Sequence, residues 1–152
     1  MKTLTRLMLL SVLIASCVAL ASTDLPGQHP TYNHGLADLR AARAHLDAHA
    51  ANEKREAEED HAIRLIDDAI DAARRAAIAD GKEIKDNIPP DVRLEKTDRF
   101  RQAQQLLDSA RRNVAAKEDN PHARDLQAQA VARIDEARHI VDKLVVTHRG
   151  HK

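Results

Sequence analysis

From Pro30 onward, apolar residues return every three or four positions with Glu, Asp, Lys and Arg between them, and no run of alternating β-branched residues interrupts the pattern. That period is helical. Helix 1 is expected from Pro30, a residue suited to a first helical turn, to about Ala50, with Tyr32, Leu36, Leu39, Ala42 and Leu46 on one face. Helix 2 follows a very short turn capped by Asn52. It carries Ala62, Ile63, Ile66, Ala69, Ile70, Ala73 and Ala77 inward and ends near Asp80-Gly81, where glycine suits the left-handed C-cap. Helix 3 opens near Thr97 with Phe100, Ala103, Leu107, Ala110 and Val114 inward. Asn120-Pro121 stops it and caps helix 4, which presents Leu126, Ala130, Val131, Ile134, Ala137, Val141 and Leu144 before a basic tail at 148–152.

Displacing the chain against itself by 68 positions aligns the first helical pair with the second without a gap. Tyr32 meets Phe100, Leu39 meets Leu107, Leu46 meets Val114, Asn52 meets Asn120, and Ile66-Asp67-Asp68-Ala69 meets Ile134-Asp135-Glu136-Ala137. Apolar positions, cap and turn agree together, so the halves 30–80 and 97–147 read as an internal repeat. The expected fold is all-α: two repeated helical hairpins, joined by the 81–96 connection, closing into one four-helix bundle over 30–147.

The repeat also pairs charges, Arg43 with Asp67 and Arg111 with Asp135, each pair centred near its own turn. These positions lie at the edge of the apolar stripe, where an Arg stem covers the core and its head reaches a carboxylate, so interhelical salt bridges are expected. The alternative is a two-fold binding cleft lined by both pairs. Tyr32 and Phe100, equivalent by repeat, are expected side by side at one end of the bundle, with the DNIPPD connection near the other. They read as a plug of the core or as a contact surface.

Residues 1–21 change the picture of where the chain works. Lys2 and Arg6 precede an uncharged apolar run from Leu7 to Leu20, the layout of a secretory signal peptide, and 22–29 is then a polar linker. Ala19-Leu20-Ala21 favours cleavage after Ala21. Leu13 to Cys17 resembles a lipoprotein box, so a lipid anchor at Cys17 is the second reading, disfavoured because the apolar run continues past the cysteine. As a membrane span the run falls short of the ~20 residues a bilayer needs. The mature chain is expected to be periplasmic or secreted, without a membrane span and, with Cys17 removed, without disulfides.

Charge and composition exclude further classes. The 24 basic and 24 acidic residues are interspersed, and one Tyr and one Phe are the only Phe, Tyr or Trp side chains, so neither the basic field nor the stacking platform of a nucleic-acid binder exists. Nucleophilic catalysis lacks its parts: Ser22 and Ser109 are the serines beyond Cys17, the first in the polar linker and the second without a sequence-near histidine to suggest a triad. No glycine-rich phosphate loop or Cys-x-x-Cys-His haem motif occurs. Neither a catalytic site nor a cofactor is expected.

A metal deserves separate consideration. Glu58-x-x-His61 and Glu136-x-x-His139 match a di-iron bundle motif, but a helical wheel turns both outward, and 78 positions, not 68, separate them. His45 and His49 in HLDAH stand four apart and could share an ion, His49 at the edge of the apolar stripe and His45 farther round. His61, the nearest third ligand, faces away, and the repeat replaces the three by Asn113, Lys117 and Gln129.

HPTYNHGLADLRAAR (29–43), AIRLIDDAIDAARRAAIADGKEIKDNIPPD (62–91), EDN (118–120) and RIDEA (133–137) resemble a group of small secreted bacterial helical-bundle proteins without an assigned function. The resemblance implies export and a four-helix bundle and carries over no catalytic residue. The expectation is a non-enzymatic bundle of the cell envelope with a structural or interaction role, its partner an unknown envelope protein or a second copy. The alternative is a metal- or small-ligand-binding protein using histidines at one bundle end.

Overall fold

A computed structural model describes residues 31–48, 54–84 and 96–149. The expected signal peptide, Cys17, the linker, His49, Asn52 and the paired prolines lie outside the described residues. Four helices are described: α1 (Tyr32–Asp47), α2 (Ala57–Ala79), α3 (Lys96–Val114) and α4 (Pro121–Arg149). Among the described residues there is no strand, and no helix is long and apolar enough to cross a membrane.

The ends of the helices follow local chemistry. At the start of α2 the Glu56 carboxylate accepts the backbone N–H of Glu59, while Glu59 Oε2 accepts the backbone N–H of Glu56 at 2.6 Å, a reciprocal capping box. This corrects the expected cap at Asn52: residues 54–56 are not helical, and the helix opens where two glutamates satisfy each other's amides. The far end of α2 closes on Gly81, at φ +71°, with Gly81 N–H donating to Ile78 O and Lys82 N–H to Ala77 O. Those are the two bonds of a Schellman motif, and a side chain at that φ would be strained. Asn120 caps α4 as expected, Oδ1 accepting the His122 N–H at 3.0 Å. Helix α4 then runs two residues past 147 and takes His148 and Arg149 into its last turn.

Each helix buries the face its periodicity assigns. Leu36, Leu39, Ala42 and Leu46, then Ala62, Ile66, Ala69 and Ala73, then Phe100, Ala103, Leu107 and Val114, and finally Ala130, Ile134, Ala137 and Val141 are wholly buried in one core. Helices α2 and α4, the pair most extensively packed, both bury several alanines, small side chains that permit close helix approach. Gly35 serves the same end between α1 and α3: a Cβ there would stand 2.6 Å from Val114 Cγ2.

The arrangement of the hairpins departs from expectation. Thr31 N–H donates to Asn113 O, and Arg99 Nη1 donates to His45 O at 3.3 Å, so α1 runs antiparallel to α3. Asn120 Nδ2 donates to Ala79 O, and His148 Nε2 meets Glu56 Oε1 at 2.9 Å, so α2 runs antiparallel to α4. The turn of each hairpin therefore lies against the open ends of the other, and the packing between hairpins is more extensive than the packing within either. The segment between α2 and α3 joins opposite ends of the bundle, a crossover topology. Consequently Tyr32 and Phe100 occupy opposite ends, not one shared end. Both are buried, at 1% and 0% exposure, which removes them as a contact surface.

Candidate functional site

Polar side chains enter this apolar bundle at its two ends. At the first, the Tyr32 hydroxyl donates to Glu118 Oε2 at 2.6 Å, and Glu118 Oε1 accepts the Asn120 N–H at 2.9 Å. Burial first, then the Glu118 hydrogen bond and the Glu118 and Asp80 charges, push the Tyr32 phenol far above the ordinary tyrosine range. One carboxylate thus ties the α3–α4 turn to the first turn of α1. Nearby, Gln127 Nε2 donates to Val114 O and Ala116 O at 2.7 and 2.6 Å, satisfying carbonyls that the end of α3 would otherwise orphan.

The second end gathers more titratable groups. His45, Glu59 and Arg99 are buried there, at 6%, 0% and 2% exposure. Arg99 lies over the last turn of α1 and donates to the His45 carbonyl. Phe100 and His148 meet edge-on, ring centroids 5.0 Å apart, and His148 Nδ1 lies 2.9 Å from Leu144 O. The His148 ring is thereby held between the α3 aromatic and Glu56 of α2. Burial, and behind it the Arg99 cation, hold the His45 imidazole below the ordinary histidine range.

The expected salt bridges are present. Arg43 Nε donates to Asp67 Oδ1 at 2.7 Å, and Arg111 Nε donates to Asp135 Oδ1 at 2.6 Å. The second pair is the larger network, because Arg138 bridges Asp135 and Asp108. Desolvation acts to raise the Asp135 carboxyl, but Arg111 and Arg138 outweigh it and hold the group below the usual carboxylate value. Hydrogen bonding to Asp67 raises Arg43 in turn. These half-exposed pairs clasp hairpins, and such pairs contribute little each.

His45 is not the polar flank that a wheel on α1 alone suggests. The first turn of α3 covers it, turning it into a buried group, while its expected metal partner His49 lies outside the described residues. His61 is exposed, as are Glu58, Glu136 and His139. No group of three His, Cys, Asp or Glu among the described residues is placed to hold a metal ion.

Four buried polar residues were not anticipated: Glu59, Arg99, Glu118 and Gln127. A signal for two of them was present, since Glu59 and Gln127 stand 68 apart at a position that both hairpins keep polar. On the surface, a groove along α2 and α4 is lined by Asp68, Asp71, Arg75, Gln129, Arg133 and Glu136. Its charges engage one another, Arg75 with Asp71 at 3.2 Å and Arg133 with Glu136 at 2.8 Å. Ile78 and Val146 are the large apolar side chains most open to solvent among the described residues, at 60% and 68% exposure. No protein-family model, curated protein or solved structure matches this chain.

Proposed function

We propose that the protein is a non-enzymatic, exported four-helix bundle that acts by protein contact in the cell envelope. The observation that carries this reading is the filled bundle axis. Bundles hold cofactors and ligands by replacing core layers with polar side chains from facing helices, and here the layers from Leu36 to Val141 are apolar and closed. Apart from the His45 imidazole, the buried polar groups serve helix ends and turns instead. Partner contact then falls to the outer surface, and Ile78 and Val146, near opposite ends of the bundle, are the apolar points it offers.

Export rests on the layout of residues 1–21, with cleavage after Ala21 the first reading and lipidation at Cys17 the second. Duplication of one hairpin accounts for the 68-residue offset and for the salt bridges that recur at it. The occupant of the surface is an envelope protein or a second copy of the chain.

The rival reading is a metal-binding protein that uses His45, favoured by one observation: the buried Nδ1 of His45 has no hydrogen-bond partner among the described residues. One preparation separates the two. The full chain is expressed in a bacterium with two membranes, carrying a photo-crosslinking residue at position 146, and the envelope fraction is irradiated and analysed for adducts and for metal. A shortened chain outside the cytoplasm with one adduct of defined mass supports the proposal. An unprocessed cytoplasmic chain, or stoichiometric zinc, copper, nickel or iron lost in His45→Ala, overturns it.

A further inference from the structure

The two ends of the bundle differ in a way the repeat makes easy to compare. At one, Asn113 sits in the last turn of α3 with both ends of its amide engaged: Oδ1 accepts the Thr31 hydroxyl and Nδ2 donates to Asp38, both at 3.0 Å. At the other, the position 68 earlier is His45. The counterparts of Thr31 and Asp38 there are Arg99 and Leu106, a cation and an apolar side chain. The imidazole is left with a buried Nδ1 lacking a hydrogen-bond partner among the described residues, under a guanidinium that binds the carbonyl of the same residue.

Titratable groups stand at this end of the bundle on each of the other helices. Helix α2 brings Glu56 and Glu59, α3 brings Arg99 and α4 brings His148. The two glutamates cap the amides of α2, and Glu56 also meets His148. The charge that acts on the imidazole is the Arg99 cation.

We propose that this end of the bundle is an acid-operated latch: protonation of His45 sets a second cation beside Arg99 in a closed corner, and the last turn of α1 separates from the first turn of α3. The direction follows from linkage. An exposed histidine takes its proton near pH 6.5, and the closed corner resists protonation below that value. Between the two, the open form binds a proton that the closed form does not, so acid favours opening, by at most about tenfold per pH unit for one group. Asn113 does not titrate, and the opposite end stays shut. The latch is independent of export and of any partner.

The test is NMR on the full chain from pH 7.5 to 5. The His45 ring resonances are followed together with hydrogen-exchange protection of the Ala48 and Ala103 amides, against Ala115 at the Asn113 end. The expected result is a His45 midpoint below 6.5, protection at Ala48 and Ala103 falling with pH by up to about tenfold per unit, and none of this fall at Ala115. His45→Gln abolishes the fall, and Arg99→Gln moves the His45 midpoint upward. A midpoint at or above the ordinary value, or equal loss of protection at both ends, overturns the latch. So does a pH dependence unchanged in His45→Gln, and if that variant does not fold, the wild-type resonances and the contrast between ends decide alone.

Discussion

The bond between Tyr32 and Glu118 gives the sharpest quantitative test of the packing described above. Tyr32→Phe deletes one oxygen and keeps the ring, and Phe100, at the equivalent position of the second hairpin, is a phenylalanine in full burial. The loss is therefore the O–H···O bond itself, 2.6 Å long, together with the exposure of Glu118 Oε2 to a dry site. A hydrogen bond to a charged acceptor contributes about 1.5–3 kcal/mol, and the buried orphan oxygen places the expected loss in the upper half of that range. Urea unfolding followed by far-ultraviolet circular dichroism measures it at pH 7. A loss below about 0.5 kcal/mol, the scale of an ordinary surface change, would refute the reasoning.

The same bond makes an alkaline prediction. The folded phenol is held far above its ordinary value, so stability is intact below about pH 10 and falls by about 1.4 kcal/mol per pH unit above it as the unfolded chain alone loses the proton. The chain has one Tyr and no Trp, so tyrosinate absorbance near 295 nm reports this residue alone. It should appear only as helical signal is lost. Tyrosinate forming near pH 10 with the helices intact would contradict the buried bond.

Other perturbations test other parts of the fold. Gly35→Ala places a methyl 2.6 Å from Val114 Cγ2, and β-branched Val114 has little rotamer freedom with which to yield. Overpacking of ~1–3 kcal/mol is set against ~1 kcal/mol of helix propensity, for a net loss of up to ~2 kcal/mol. A thermal-denaturation cycle with Val114→Ala should show strong positive coupling. Gln127→Leu orphans the Val114 and Ala116 carbonyls and should cost about 1–3 kcal/mol in urea unfolding. Asp135→Asn, in a half-exposed network, should cost no more than about 1 kcal/mol at pH 7. Because the folded Asp135 value is lowered, that difference is present above about pH 4 and diminishes as pH falls through the folded value, which denaturation at pH 7 and at successively lower pH can read.

Much of the core was legible before any coordinates, because burial on a helix follows a period of three and four that Leu36, Leu39, Ala42 and Leu46 keep without exception. The clasping pairs were legible too, since Arg43 and Asp67, like Arg111 and Asp135, flank a turn at matching depth. The direction in which the hairpins oppose each other was not. Two helical hairpins carry the same apolar pattern whether they lie parallel or antiparallel, and only the length of the 81–96 connection hinted that it returns to the opposite end, where short connections join neighbouring ends. Tyr32 and Phe100 were misplaced for that reason. The burial of His45 was hidden similarly: a wheel drawn on α1 contains no Arg99. Asn52 was the better cap by propensity, yet Glu56 and Glu59, three residues apart, could satisfy two amides where Asn52 could satisfy one.

The broad seams of this protein run between its hairpins, and that bears on what half of it would do. A fragment spanning 96–149 would leave Phe100, Leu107, Ala130 and Ile134 facing water, and a lone hairpin of that size is marginal. Opposed packing offers such a fragment the same seat on a second copy, turn against open ends, so it should appear in sedimentation as a two-chain bundle. Intact molecules at high concentration meet the same option, exchanging hairpins so that each bundle is completed by a neighbour's half.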